Sequence, residues 1–212
     1  MLLTTVEAVR DRNGMDNTTL VNDAIESSLR TASSSLQTGV RTTFAEGTAV
    51  TDLFYVRDTR RVGKSMQTRL LMSKGFLKTS PAVTVKSAER SQWFTTGDGT
   101  VDDLRNLAGV DYTTINHNRG LVLITGKDLS DRFIQVTYDC GFAVSGTPAV
   151  YQAVPQWLID AAILVTSIAL EKNPALRDDE DTEFSVKELQ TQKDAAIGNN
   201  VRYEPSALNP MV

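Results

Sequence analysis

The sequence holds one cysteine and one histidine among 212 residues, few aromatic residues (7%), and charges that nearly cancel, 22 Lys and Arg against 26 Asp and Glu. Each shortage excludes a class. A single cysteine forms no intrachain disulfide. One imidazole and one thiolate do not make up the ligand set of an ordinary zinc site. A formal net charge of -4 argues against a protein that coats DNA, because counterion release needs clustered Lys and Arg. No apolar run approaches the roughly 20 residues of a membrane-spanning helix. The start Met1-Leu2-Leu3-Thr4-Thr5-Val6-Glu7 turns polar too soon for a secretory signal. The expectation is a soluble chain made in the cytosol, with no membrane association, metal or cofactor.

The apolar residues that are present carry two periodicities. Behind Asn17, a candidate helix cap, Leu20, Val21, Ala24, Ile25, Leu29, Ala32 and Leu36 recur at helical spacing, which predicts a long amphipathic helix. A shorter helix is expected over residues 5–12, closed by Asn13-Gly14, a pair suited to a left-handed cap. From Val40 the pattern changes. Val40, Thr42 and Phe44, then Val50, Leu53 and Tyr55, flank Glu46-Gly47-Thr48 and read as a hairpin. Strands are expected at residues 66–72, 81–86 and 133–138, and a second hairpin at residues 111–124 around Asn116-His117-Asn118-Arg119-Gly120. Residues 57–64 show no apolar period and read as a basic loop, while residues 88–109 read as a polar, turn-rich loop.

The C-terminal third differs again. Pro155 stands where a helix begins, a place where its missing N–H costs nothing. In residues 157–170 the only polar side chains are Asp160, Thr166 and Ser167. A helix so apolar must be covered on most sides, and a neighbouring subunit is expected to supply part of the cover. After Asn173-Pro174, the acidic run Asp178-Asp179-Glu180-Asp181 leads into a weaker helix over residues 183–197, whose N-terminal dipole favours acids there. Residues 198–212 include Pro205 and Pro210 and show no period, so an extended tail is expected.

Candidate chemistry is sparse. Gly63-Lys64-Ser65 resembles the end of a phosphate-binding loop, but the first glycine of that motif would fall at Asp58, where a carboxylate repels phosphate. His117 lies in a predicted turn with no carboxylate or nucleophile placed beside it by sequence. Asp98, Asp102 and Asp103 lack the alternating spacing of a calcium loop. Cys140 reads as a small core residue. Trp93 and Phe94 near Arg90 form no second aromatic-basic cluster and read as loop packing. Charge is segregated. Residues 57–78 carry Arg57, Arg60, Arg61, Lys64, Arg69, Lys74 and Lys78 against Asp58 alone, and residues 171–183 carry six acids against Lys172 and Arg177. Taken alone these are solvated faces, but in a ring they would let subunits meet in a fixed orientation.

The order of elements resembles a known family. A helix pair precedes a β-rich insertion that ends in Ile134-Gln135-Val136-Thr137-Tyr138-Asp139-Cys140-Gly141-Phe142. Val154-Pro155-Gln156-Trp157-Leu158-Ile159-Asp160-Ala161-Ala162 then opens a helix that ends at Glu171-Lys172-Asn173-Pro174. The strand end "hydrophobic-Thr-Tyr-x-x-Gly-Phe/Tyr" and the helix start "Val-Pro-x-x-Leu/Ile-x-x-Ala" resemble landmarks of the head-tail connector (adaptor, or head-completion) proteins of tailed bacteriophages. The resemblance spans residues 5–173; the loop at 88–109 and everything after Pro174 depart from it.

The resemblance implies an α+β fold: a helical core, formed by an N-terminal helix pair and a buried C-terminal helix, with an antiparallel β-rich insertion; the extended C-terminal tail is expected from the missing periodicity and lies outside it. The expected division is a core at residues 1–173 with the insertion at about 40–140, an acidic linker and peripheral helix at 174–198, and a tail at 199–212. It further implies a structural virion protein and not an enzyme: a homo-oligomeric ring, commonly a dodecamer, assembled in the host cytoplasm and sited at the neck of the virion. Such a ring docks beneath the portal protein, meets tail or neck proteins, and passes double-stranded DNA through its channel without sequence-specific binding. Expected inter-ring contacts are Arg57, Arg60, Arg61, Lys64, Tyr203, Pro205, Leu208 and Met211. Expected contacts between subunits are Trp157, Ala161, Leu164, Ile168, Asp178, Asp179 and Glu180. The alternatives are a tail-completion or other neck ring one layer further down, and a small enzyme.

Overall fold

Thr5 starts the first helix by accepting the Ala8 N–H on its hydroxyl, and Gly14 ends it at a φ of 63°, the left-handed conformation that glycine adopts without a Cβ penalty. This helix is α1, Val6–Asn13. The computed structural model describes residues 1–15, 22–62, 64–78, 84–89, 105–106, 111–171, 182–198 and 207–210; Asn17 lies outside them. The fold is mixed α+β, and the chain divides into two compact units, Met1–Arg41 with Phe142–Val201, and Thr42–Gly141 with Arg202–Val212.

The first unit is mainly helical. α2 (Asn22–Gly39) buries Ile25, Leu29, Ala32, Ser33 and Leu36 along one stripe, as its helical spacing requires. α3 (Gln156–Glu171) packs against α1, α2 and α4 (Thr182–Gly198). The polar interior of α3 is satisfied locally: the Thr166 hydroxyl donates to the Ala162 carbonyl at 2.8 Å and the Ser167 hydroxyl to the Ile163 carbonyl at 2.9 Å. The Gly146-Thr147-Pro148 stretch is the turn of a short hairpin between β9 (Val144–Ser145) and β10 (Val150–Tyr151). Leu2 pairs in parallel with Val150, which brings buried Leu2 and Leu3 into this unit. Among the described residues no helix is long and apolar enough to cross a membrane.

The second unit holds two four-stranded antiparallel sheets. One has the order β1 (Gly47–Val56), β8 (Arg132–Cys140), β4 (Thr84–Glu89), β5 (Arg105–Asn106). The other has the order β2 (Arg60–Val62), β3 (Ser65–Leu71), β7 (Leu121–Thr125), β6 (Asp111–Asn116). One core joins Phe54 and Val56 of β1, Leu70 of β3, Val122 and Ile124 of β7, and Ile134, Val136, Tyr138 and Cys140 of β8. Strand alternation explains the β8 set, since every second side chain faces the same way.

Three expectations need correction here. Residues 40–55 do not form a hairpin: β1 pairs with β8 instead, and Phe44 is held by edge-to-face packing on Phe76 with ring centroids 5.7 Å apart. The basic segment is not a loop throughout. Arg60–Val62 pairs with Ser65–Gln67, and because β2 buries none of its side chains it carries no apolar period to read. Finally, the stretch expected to be a polar loop contains the end of β4 and β5; the rest of residues 88–109 lies outside the described residues.

The strand-end landmark has packing reasons. Gly141 sits at a φ of 73°, and a Cβ there would lie 2.1 Å from the Ala45 carbonyl oxygen, so no other residue fits. Thr68, by contrast, is mismatched. It is 4% exposed, and among the described residues its hydroxyl has no hydrogen-bond partner. An unsatisfied buried hydroxyl costs about 1–3 kcal/mol, and valine has the same shape. Thr68→Val is therefore expected to raise unfolding stability by about 1 kcal/mol, read from the urea midpoint, whereas Gly141→Ala is expected to lower it. A Thr68→Val midpoint below that of the parent would refute the assignment.

Candidate functional site

The feature with the strongest surface chemistry is the β2–β3 hairpin. Arg57, Arg60, Arg61 and Lys64 are all exposed, and among the described residues none of the four forms an ion pair. β2 is an edge strand, and charged side chains on such an edge block uncontrolled pairing with other sheets. Arg60, Arg61 and Lys64 on the ribbon, with Arg57 in the loop before it, also make a local positive surface on a chain of negative net charge.

The hairpin is mounted rigidly at its root. The loop from β1 into β2 meets the loop from β7 into β8. Thr59 N–H donates to Ser130 Oγ at 3.0 Å, and Leu129 N–H donates to Thr59 Oγ1 at 2.9 Å. Asp131 N–H donates to the Val56 carbonyl at 2.7 Å. Asp128 completes the turn by accepting the Ser130 hydroxyl at 2.6 Å and the Ser130 N–H at 2.9 Å. Leu129, between them, is buried in the core of the unit. The Ser130 hydroxyl, then its N–H and the Thr59 hydroxyl, hold the Asp128 carboxyl below its ordinary range. The sequence analysis did not single out these root residues, although Asp128-Leu129-Ser130 has the composition of an Asx turn.

A second polar cluster is buried in the same unit. Tyr138 donates its hydroxyl to Asp52 Oδ2 at 2.8 Å, and the Ser73 N–H donates to the same oxygen at 2.6 Å. The Lys74 N–H donates to the Tyr138 oxygen at 3.1 Å. Burial pushes the Tyr138 phenol well above its ordinary range, and the Asp52 hydrogen bond and charge push the same way, against the Ser73 hydrogen bond. A phenol held neutral and enclosed in this manner ties β1, β8 and the turn after β3 together. It has no open face for a substrate.

The remaining candidates fall as follows. His117 is exposed in the β6–β7 turn, with Nδ1 3.2 Å from the Leu77 carbonyl oxygen. Cys140 is buried; burial raises its thiol, with the Lys74 charge opposing, so it is a poor nucleophile. Lys64 and Ser65 belong to the β2–β3 hairpin and not to a strand-to-helix phosphate loop. Trp93, Phe94, Arg90, Asp98, Asp102 and Asp103 lie outside the described residues, as do Tyr203, Pro205, Met211, Asp178, Asp179 and Glu180.

Two expected contact sets change. On α3, Ala161 is 0% and Ile168 7% exposed. The chain's own helices cover them, so they offer a neighbouring subunit no surface; Trp157 and Leu164 are half-buried. The apolar composition that suggested an external cover is met inside the chain by α1, α2 and α4. Leu208, expected on a projecting arm, instead pairs with Leu70 and packs on the core, because β3 has an edge left open beyond β2.

Asp128 offers a test of the hairpin mount. Its lowered carboxyl stabilises the fold at neutral pH, and that contribution is lost as acid protonates it below the ordinary carboxylate range. Ser130→Ala is expected to move the Asp128 titration midpoint upward toward the ordinary value, followed by carboxyl NMR; an unmoved midpoint would contradict the stated cause. No protein-family model and no curated protein matches the chain.

Proposed function

We propose that the chain is a structural virion subunit, a head-tail connector or adaptor that assembles as a ring beneath the portal and continues the DNA channel toward the tail. The observation that carries the reading is the order of elements around two landmarks. Val136-Thr137-Tyr138 to Gly141-Phe142 closes β8 at the end of the β-rich insertion, and Val154-Pro155 opens α3 directly after the β9–β10 hairpin. Both landmarks have packing roles: Tyr138 is in the buried cluster, Gly141 makes the close backbone approach, and Leu158 and Ala161 are enclosed. Residues chosen for packing suit a building block.

The basic hairpin supports the same reading. Arg60, Arg61 and Lys64 stand on an exposed ribbon with Arg57 in the loop before it, and the acidic run at Asp178, Asp179 and Glu180 offers the complementary charge on another subunit or ring. Such pairs set orientation and association rate more than affinity. Of the α3 residues expected between subunits, Trp157 and Leu164 keep a half-buried side chain. Many weak contacts repeated around a ring add to a firm attachment.

The mass of the purified chain, alone and mixed with a portal protein, tests the reading. A ring that joins the portal is expected; a chain that stays monomeric in both conditions would sink it. Joining a tail protein but not the portal would place the ring one layer further down. Arg60→Glu with Arg61→Glu is expected to weaken portal attachment at least tenfold while leaving the unfolding free energy within about 0.5 kcal/mol of the parent's, as exposed substitutions generally do.

A further inference from the structure

The free edge of β3 is shared by two partners. Its first half, Ser65 to Gln67, pairs with β2. Its second half is completed by Leu208, which lies parallel to it opposite Leu70. Leu208 N–H donates to the Arg69 carbonyl at 2.9 Å, and Leu71 N–H donates to the Leu208 carbonyl at 2.8 Å. The Leu208 side chain packs, partly buried, against the core of the unit. Without this residue, the Arg69 carbonyl and the Leu71 N–H would be open edge groups beside an apolar core, which is a template for another strand.

The residue that fills the edge lies in the same compact unit as β3 but far along the chain from it. The chain through Val201 belongs with the helices, and Arg202–Val212 belongs with the sheets. α4 ends at Gly198, and the nine residues between Gly198 and Leu208 can span up to about 30 Å when extended. A short segment that completes a sheet edge far from it in sequence is suited to exchange between copies. The acceptor edge makes the same two hydrogen bonds and the same leucine contact whether the segment is its own or a neighbour's. Two backbone hydrogen bonds and one partly buried leucine are also a small contact, which opens without unfolding the sheets.

We infer that the β3 edge at Arg69 to Leu71 is a strand-acceptor site, and that in the assembled state it takes the segment around Leu208 from a second copy of the chain. The inference rests on the proposed ring and names the contact that links its neighbours. Exchange converts a link that closes on its own subunit into one that runs to the next. Repeated around a ring, it joins every subunit to a neighbour without creating any new surface.

The parallel register places Ala207 beside Arg69, which allows a covalent test. In a Cys140→Ala background, one chain carries Arg69→Cys and a differently tagged chain carries Ala207→Cys. The two are mixed, allowed to assemble, and treated with a short bismaleimide, while light scattering reports the mass of the same sample. The expected result is a covalent pair of the two chains in the assembled fraction, reduced at least tenfold by Leu208→Asp in the second chain, with circular dichroism confirming that this variant is folded. Assemblies with no such pair, in which a chain bearing both cysteines links only within itself, would overturn the exchange and leave the ring standing. Linked pairs that never exceed a dimer would support the exchange and sink the ring. A sample that stays monomeric and unlinked would overturn both.

Discussion

The second unit depends on β8. β1 and β4 both hydrogen-bond to this strand along most of its length. Its alternate residues Ile134, Val136, Tyr138 and Cys140 form one wall of the core that both sheets share. Tyr138 adds a polar clamp to that wall, joining Asp52 of β1 to the backbone of the turn after β3. A buried carboxylate is tolerable only with donors around it, so Asp52, Tyr138 and Ser73 stand or fall together. The turn that follows, at Gly141, is equally constrained by the Ala45 backbone.

This rigidity matters for the surface. The basic hairpin hangs from the same framework through Thr59, Ser130 and Leu129, the last of which is anchored in the core. The backbone that carries its cations is therefore held in place, and less backbone ordering entropy is lost when they meet a partner. The β3 strand carries this hairpin on one part of its edge and the Leu208 segment on the next. Two proposed contacts of the assembly thus share one strand.

The helices were legible in the sequence for a plain reason. Ile25, Leu29, Ala32 and Leu36 recur at the helical period, and Thr5 and Gly14 carry the start and stop chemistry of α1. The β6–β7 hairpin was legible because its turn lies between its strands. The partner of β1 was not. Asp52 and Tyr138 are 86 residues apart, and nothing local in either segment names the other. β2 was missed because an exposed strand has no buried face to impose alternation. Part of the cover of α3 was assigned to a neighbour because composition measures how much must be buried and not what buries it.

The sequence by itself determined the elements whose signal is written within a turn or two of backbone: the caps, the helical stripes, the strand alternation of β8 and the scarcity of reactive side chains. Only the tertiary structure decided which strands pair, that Ala161 and Ile168 are enclosed by the chain's own helices, that the basic segment is a mounted ribbon, and that Leu208 completes a sheet. Periodicity follows from local backbone geometry, which each residue carries with it. Pairing between distant segments depends on the shape and closure of the whole chain.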